Sequence, residues 1–521
     1  MSESFYQMDS GKWIDRRGFV KAFVGSGILL ATSSLWLGCG EKKNPETKIA
    51  LSNLFSDEQL KEILTIALSK GGDFAEIYLE HRLRTDILLE EDKLKQVAYG
   101  IIQGAGLRVN SGEKTGYAYS DDFELNKLKE IAKVASFIAE SGRPENPVSL
   151  TEKEVHPNFT LTSPFPFSGE EKKIELMKRA NQGARDYDKR IHEVKVEYYD
   201  EVKNIMIVNS EGLKTKDTQY IVRLAVYPLA VDGTKRFEGY ATGGGRINAS
   251  YFDKVLPENI GKEGARQALD MLYADESPAG NLPVVVGNGW GGVLVHEAFG
   301  HSLEGDGIRK NTSLMAGLLG KKVASDVVTI LDDATIPYGR GSFNVDDEGT
   351  PGQKKVLVEN GILKMYLYDK LNARLMNTQS TGNGRRESYR FYPIPRMTNI
   401  FINKGEIAPE DIIKSVKKGV YAKKMGGGSV DSASGNFNFL VREAYSIEDG
   451  KITKPVKGAV LIGNGPEAMK KIELVGTNLA VDPTTGTCGK DGQGVYAGVG
   501  QPTVKFSEIT LGGTKVKPTV T

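Results

Sequence analysis

The sequence VHEAFGHSLE spans residues Val295–Glu304 and holds two of the five histidines in the chain. His296 and His301 are five residues apart, one residue more than in the His-Glu-x-x-His motif of many zinc peptidases. In a regular helix with 3.6 residues per turn, this spacing rotates the second side chain about 140° away from the first. The two imidazoles can therefore meet at one metal only if the turn is widened, for example by a π-bulge, and Gly300 is a residue that tolerates such a distortion.

A metal site built on these two histidines needs a third protein ligand, because a catalytic zinc ion uses three and leaves one position for water. The sequence offers Glu304, Asp306 and Cys488 as candidates, and Glu297 as a general base. On spacing alone, the histidines are equally compatible with two unrelated polar side chains at a helix end. The motif by itself therefore leaves both interpretations open.

Cys488 lies in the sequence TCGK, which predicts a polar loop. A free cysteine is usually a small buried residue, and this interpretation competes with a role as a ligand. A thiolate next to a divalent cation is strongly favoured, and Lys490 nearby is expected to lower the pKa of the thiol further.

The composition limits the classes of function. The chain has 521 residues, 26% of them charged, with a formal net charge of +1. This is typical of a globular protein with two or three domains, and the lack of a basic excess predicts no nucleic-acid binding. The glycine-rich run at 287–292 lacks the Gly-Lys-Ser/Thr ending of a phosphate-binding loop, so nucleotide binding is not expected.

The first 40 residues have the pattern of an export signal. The segment Asp15–Lys21 (DRRGFVK) is close to a twin-arginine motif, and an apolar stretch follows at Ala22–Leu37. Cys39 follows in a context similar to a lipoprotein processing site. We therefore predict export to the periplasm, with membrane attachment through a lipidated Cys39 as one option. A retained single-pass anchor is the alternative.

Hydrophobic periodicity and proline content divide the rest of the chain. The predicted parts are an N-terminal α+β domain at 41–140, a proline-rich linker at 141–167, a central α+β domain at 168–278 and a strand-rich C-terminal domain at 279–521. Four short strands are expected near the start, at 74–79, 86–90, 93–98 and 104–109. Ser168 and Glu171 predict a capping box at the first helix of the central domain. Strands that are mostly antiparallel, with a few helices, indicate an α+β fold in which an N-terminal α/β domain precedes the strand-rich domain.

Long blocks of sequence, in order from Gly72 to Gly513, resemble one protein family. They include GAGLRVNSGEKTGYAY (104–119), VHEAFGHSLEGD (295–306), TGNGRRESY (381–389), PRMTN (395–399), KPVKGAVL (454–461) and CGKDGQGVYAGVGQP (488–502). On these blocks the chain resembles the TldD/PmbA metallopeptidases, and in particular their TldD-like, metal-binding branch. The signal at the N-terminus is a departure, because familiar members of this family are cytosolic.

The resemblance implies a zinc ion bound by His296, His301 and Cys488, with Glu297 as general base. It also implies a strand-rich C-terminal metallopeptidase domain, and cleavage of peptides or unfolded polypeptide segments in a cavity between two subunits. The partner would be a second copy of the chain or a paralogue that lacks the metal ligands.

Three arginines in the matching blocks, Arg385, Arg386 and Arg396, are candidates for contacts with the substrate backbone or its carboxyl terminus. Surface or interface ion pairs are the alternative role for them. A second function also remains open at this point, that of an exported peptide-binding or scaffolding protein with a structural zinc site. Such a site would be closed by a fourth protein ligand, for which Glu304 and Asp306 are the candidates.

Overall fold

Strands, most of them paired antiparallel, hold more residues than helices do in the structure, a computed structural model that describes residues 6–7, 13–14, 50–139, 147–153, 157–158, 160–431 and 434–513. Residues 1–49 form a separate unit, for which the description is limited to the short antiparallel pair Tyr6–Gln7 and Trp13–Ile14. The predicted twin-arginine motif, the apolar stretch after it and Cys39 lie outside the described residues. Among the described helices, none is both long and apolar enough to cross a bilayer.

The first large sheet has eight strands and combines strands from the predicted N-terminal and central domains. Its order is Ala241–Gly245, Leu213–Asp232, Ile191–Asn209, Phe74–Glu90, Lys93–Ser111 and Lys114–Ser120, and both Thr151–Glu152 and Lys235–Glu238 pair with Leu213–Asp232. Among these described strands, the pairings are antiparallel except for that of Thr151–Glu152.

The first two strands of this sheet are much longer than predicted. Instead of four short strands, the structure has two strands of 17 and 19 residues, Phe74–Glu90 and Lys93–Ser111. The prediction was wrong because the hydrophobic alternation stops near Glu80, where polar residues are buried instead of facing solvent. Glu80 is fully buried, and its charge is compensated by Arg82 at 2.7 Å. The strand pairing therefore continues through a polar stretch whose sequence is typical of a loop.

Ten α-helices are described, and most are short. They are Asp57–Leu68, Leu125–Ser136, Glu170–Arg185, Tyr251–Lys254, Pro257–Leu272, Val293–Ala298, Gly305–Arg309, Lys370–Leu375, Pro409–Lys414 and Gly465–Lys470. The capping box predicted from Ser168 and Glu171 is wrong. Ser168 ends a preceding 3-10 turn, and its N–H bonds to the carbonyl of Phe165, so the helix begins one residue later with Gly169 as its N-cap.

Two further sheets build the C-terminal domain. One has eight strands: Asp275–Glu276, Lys451–Lys457, Asn436–Glu448, Lys418–Val430, Gly280–Val286, Val504–Gly512 and Val460–Asn464 in order, with Ile472–Val475 also paired to Val504–Gly512. The other has six: Ile362–Leu363, Lys354–Glu359, Ile330–Asp333, Asn399–Ile402, Gly498–Gln501 and Ala480–Asp482. The main hydrophobic core of this domain includes residues from both sheets and from the helix Val293–Ala298. The predicted α+β fold is confirmed.

Two short hairpins complete the domain. One pairs Gly384–Arg385 with Ile394–Pro395. The other pairs Thr487–Lys490 with Gln493–Tyr496, and we call it the Cys488 hairpin. This hairpin brings Cys488, which lies near the C-terminal end of the described residues, close to the helix that carries His296.

Candidate metal centre

The helix that carries His296 is held by close packing of glycines. The strand Gly280–Val286 ends at a glycine-rich turn, and the helix Val293–Ala298 follows it directly. A Cβ atom on Gly292 would come within 2.3 Å of the backbone of Gly500, so only glycine fits this approach. The glycine-rich run therefore serves packing, and the first turn of the helix is fixed against the neighbouring strand Gly498–Gln501.

The expected distortion is present, and it is a break in the helix rather than a π-bulge that brings the two histidines together. The helix ends at Ala298, Phe299 has φ −132° and ψ −46°, and a 3-10 turn continues from Gly300 to Leu303. This break absorbs the excess rotation that five residues would produce in a continuous helix. The rings of His296 and His301 end with their centroids 5.2 Å apart and their planes at 86°.

Cys488 completes a cluster of three donor atoms. It lies in a hairpin strand rather than in the predicted loop, and it is 2% exposed. Its Sγ is 3.4 Å from Nε2 of His301, and the donor atoms of His296, His301 and Cys488 all lie within 4.8 Å of one another. Two ligands of a tetrahedral zinc ion, one sulfur and one nitrogen, are separated by roughly 3.6 Å, given the usual bond lengths. The observed separation of Sγ and Nε2 fits this geometry.

The electrostatics of the cluster also fit a bound cation. Burial by itself raises the pKa of the Cys488 thiol, but His296 and His301 beside it lower that pKa well below its ordinary value. Nδ1 of His296 is buried and has no hydrogen-bond partner among the described residues. A thiolate and two imidazole nitrogens at one point form a donor set suited to a divalent transition metal.

Glu304 and Asp306, the other candidates for a third ligand, have different partners. Glu304 is buried, and its carboxylate lies 3.1 Å from Nδ1 of His301. Lys490 bridges the two acids, at 2.9 Å from Glu304 and 2.7 Å from Asp306. Burial raises the pKa of Glu304, but Lys490 and His301 bring it down to about 2, so the carboxylate is charged. Lys490 was expected to act on the thiol, and it pairs with these two carboxylates instead.

Glu297 faces an open cavity. Its side chain is 27% exposed, and its Oε2 lies 3.6 Å from Nε2 of His301. It lines a cavity of about 590 Å³ together with His301, Ser302 and Lys490. A carboxylate at the wall of an accessible cavity, next to a cluster of metal donors, is in the right place to accept a proton from water.

The three arginines proposed for substrate contacts are buried and bind other protein groups. Arg396 donates hydrogen bonds to the carbonyls of Cys488 and Gln493, one on each strand of the Cys488 hairpin. Arg385 donates to the carbonyl of Met397 at 2.7 Å, and Arg386 forms an ion pair with Glu76. The described residues that line the cavity beside Glu297 include none of the three.

The chain matches sequence models of a known protein family. Three sequence models match it in order: PmbA/TldA metallopeptidase domain 1 at residues 75–139, the central domain at 164–272 and the C-terminal domain at 279–513. The chain belongs to the PmbA/TldD family of metallopeptidases. The catalytic class follows from this membership, and the chain is a peptidase of the PmbA/TldD family.

Relatives and solved structures cover almost the whole chain. A protein named metalloprotease TldD homolog from Haemophilus influenzae is 43% identical over 475 residues, which is 90% of this chain and 98% of the relative. A zinc metalloprotease TldD homolog from Saccharolobus solfataricus is 27% identical over 85% of this chain and 97% of its own length. The crystal structure of a putative modulator of a DNA gyrase from Thermotoga maritima has the same fold, with a TM-score of 0.73 and 24% identity over 88% of this chain and all of its own.

Sequence reasoning missed two parts of the centre of this PmbA/TldD protein. One is the ion-pair network of Glu304, Lys490 and Asp306. The other is the hydrogen bonding of Arg396 to the backbone of the Cys488 hairpin. Both sets of residues were already noted, but with other roles. The pairings join residues about 90 to 190 positions apart, and no local sequence pattern specifies a partner at such a separation.

Proposed function

We propose that this PmbA/TldD-family peptidase is a zinc enzyme that hydrolyses peptides or unfolded polypeptide segments. In this proposal, His296, His301 and Cys488 bind the zinc ion and Glu297 is the general base. The observation that carries it is the convergence of three donor atoms, two of them on buried residues, within 4.8 Å beside a cavity that Glu297 lines. The name of the Saccharolobus solfataricus relative also favours zinc over other metals.

A zinc ion bound there would polarise the scissile carbonyl and lower the pKa of a water molecule toward about 7. Glu297 takes the proton of the attacking water and passes it to the leaving amine. Glu304 accepts a hydrogen bond from Nδ1 of His301, which leaves Nε2 free to act as a ligand and fixes the orientation of the ring. Arg396 holds the backbone of Cys488 in place.

A structural zinc site in a peptide-binding or scaffolding protein is the competing function. Such a site needs a fourth protein ligand. Glu304 and Asp306 already share Lys490, and Glu304 also contacts His301 through the ring nitrogen remote from Cys488. These contacts favour an open fourth position on the side of the cavity, which supports catalysis.

Removal of the metal separates these two functions. We expect that treatment with a zinc chelator abolishes hydrolysis of an unstructured peptide while the far-ultraviolet circular dichroism spectrum stays unchanged, because the large core of the C-terminal domain does not depend on the metal. One equivalent of zinc should then restore hydrolysis. Unfolding on chelation would instead indicate a structural site.

Arg396 is expected to position the Cys488 hairpin. In Arg396→Gln, the carbonyls of Cys488 and Gln493 lose their charged donor, so we expect zinc affinity to fall by about 10- to 100-fold, as for other groups that support metal ligands. Competition with a chromogenic chelator measures this affinity. The control is Arg390→Gln, at an exposed arginine paired with Asp121, which should bind zinc normally. Unchanged affinity in Arg396→Gln would contradict the positioning role.

Assembly and location are proposed on sequence alone. We propose a homodimer, or a heterodimer with a paralogue that lacks the ligands, and export to the periplasm through the segment 1–40 with Cys39 as a possible site of lipid attachment. Light scattering and cell fractionation address these two points. No role in nucleic-acid binding is proposed.

A further inference from the structure

A second cavity lies behind the Cys488 hairpin. It has a volume of about 370 Å³, and Thr487 and Tyr496 line it. These two residues pair with each other across the hairpin, next to the pair formed by Cys488 and Val495. The described residues that line this cavity and those that line the cavity beside Glu297 have no member in common, so the two cavities are distinct.

The wall of this cavity is strongly basic. Among its described lining residues are six arginines and one lysine, against four carboxylates. Four of the cations have carboxylate partners: Arg82 with Glu80, Arg84 with Asp86, Lys203 with Asp347, and Arg386 with Glu76. The remaining three, Arg223, Arg340 and Arg385, have no ion pair with any carboxylate of the described residues and bond only to uncharged groups.

Arg340 shows the lack of a carboxylate partner most clearly. It is 4% exposed, its Nε donates to the carbonyl of Gly486, and its Nη2 lies 3.5 Å from the hydroxyl of Thr487. Its Nη1 is buried without a hydrogen-bond partner in the described structure. The guanidinium also stands 4.6 Å from the ring centroid of Tyr496, which holds it at the cavity wall.

The other two arginines are similar. Arg385 is 5% exposed and donates through Nη1 to the carbonyl of Met397. Arg223 donates through Nη2 to the hydroxyls of Tyr227 and Tyr240, and its buried Nε has no partner among the described residues. None of these contacts supplies negative charge.

Neighbouring carboxylates offset the positive charge only in part. Burial lowers the pKa of Arg246, behind the wall, to about 10, and Arg385 and Arg340 lower it further, while Asp217 counteracts the shift. Burial raises the pKa of Asp346, a lining carboxyl, well above its ordinary value, and Glu348 raises it further. Buried cations without counter-charges are costly, and proteins normally pair them.

We propose that this cavity binds a compact anion with two or more negative charges, of the carboxylate or phosphate type, held by Arg223, Arg340 and Arg385. A guanidinium group presents a planar fork of donors that matches the oxygens of such groups. Three unpaired guanidinium groups at one cavity favour a polyvalent ligand over a monovalent one. The volume lies at the lower end of the range for small-molecule sites.

Binding can be measured on the zinc-loaded full chain with two divalent probes, sulfate and succinate, by calorimetry at constant ionic strength set with sodium chloride. We expect saturable binding of at least one of them, and much weaker binding of acetate. Arg340→Gln and Arg223→Gln should each weaken binding by roughly tenfold or more, because each removes a charged hydrogen-bond donor. Arg223 is only partly buried and does not contact the hairpin backbone, so Arg223→Gln should fold normally. This variant therefore tests the proposal even if Arg340→Gln folds poorly.

The matched control is Arg236→Gln, which removes the same charge from the exposed part of the strand Lys235–Glu238. It should bind the probes as the wild type does. Binding of succinate alone identifies a carboxylate ligand, and binding of sulfate alone identifies a phosphate-type ligand. The proposal is overturned if neither probe binds more tightly than acetate, or if both cavity variants bind like the wild type, as they would if the anion contacted only the zinc ion.

Discussion

Glu297→Gln is expected to retain zinc and to lose peptide hydrolysis by a factor of ~10²–10⁴, the usual contribution of a general base. The amide has the same shape as the carboxylate but cannot take a proton from water. Because Glu297 is 27% exposed at the cavity wall and is not one of the three clustered donors, the substitution should leave the site and the fold intact. Turnover of an unstructured peptide, together with zinc content by elemental analysis, measures both effects.

The control for this variant is Glu359→Gln, at an exposed glutamate that pairs with Lys364 on a strand edge. It makes the same chemical change outside the cavity, and its turnover should match the wild type. Turnover of Glu297→Gln at the wild-type rate would exclude Glu297 as the base. Loss of zinc from Glu297→Gln would assign it to the ligand set instead.

The helices and the fold class follow from the sequence, whereas strand lengths do not. Apolar residues at helical spacing predict a helix at 56–70, and the structure has this helix at Asp57–Leu68 with its apolar face buried. In the long strand Phe74–Glu90, the middle is polar and buried, since Glu80 pairs with Arg82 and accepts from the backbone N–H of Tyr389. Alternation of hydrophobic residues cannot mark a strand whose buried positions are charged.

The residues of the metal centre were likewise predictable from the sequence only in part. The sequence singled out His296, His301, Glu297 and Cys488, and the structure brings these four together. Spacing alone did not select Cys488 among the possible ligands. That choice came from the resemblance to a family, because 187 residues separate Cys488 from His301.

No local sequence pattern predicts the break at Phe299 or the partners of the buried arginines. A five-residue spacing requires a distorted helix but does not specify the distortion, and at the break found here Gly300 packs so closely against Met397 that a Cβ atom would clash. In the same way, the sequence TGNGRRESY identifies Arg385 and Arg386 without indicating that both line the basic cavity and that only Arg386 pairs with Glu76.

Cys488→Ala is expected to lose zinc and, with it, hydrolysis. Removing the thiolate leaves two imidazoles, and the affinity for zinc should fall by more than about 100-fold, since loss of a supporting group alone costs about 10- to 100-fold. The thiol is buried beside Val495, and alanine leaves only a small gap, so the metal-free variant should unfold close to the temperature of the metal-free wild type. Chelator competition and thermal unfolding of both metal-free proteins measure these quantities.

Val495→Ala is the matched control, because Val495 is the cross-strand partner of Cys488 and is equally buried. It should lower stability by about 0.5–3 kcal/mol, through loss of buried methyl groups, while zinc affinity changes little. The two variants therefore separate a ligand from a packing residue within one hairpin. If Cys488→Ala binds zinc like the wild type, the third ligand lies elsewhere, and Glu304, 3.1 Å from the ring of His301, would be the next candidate. If Val495→Ala also loses zinc, the geometry of the hairpin, rather than the thiolate alone, controls the site.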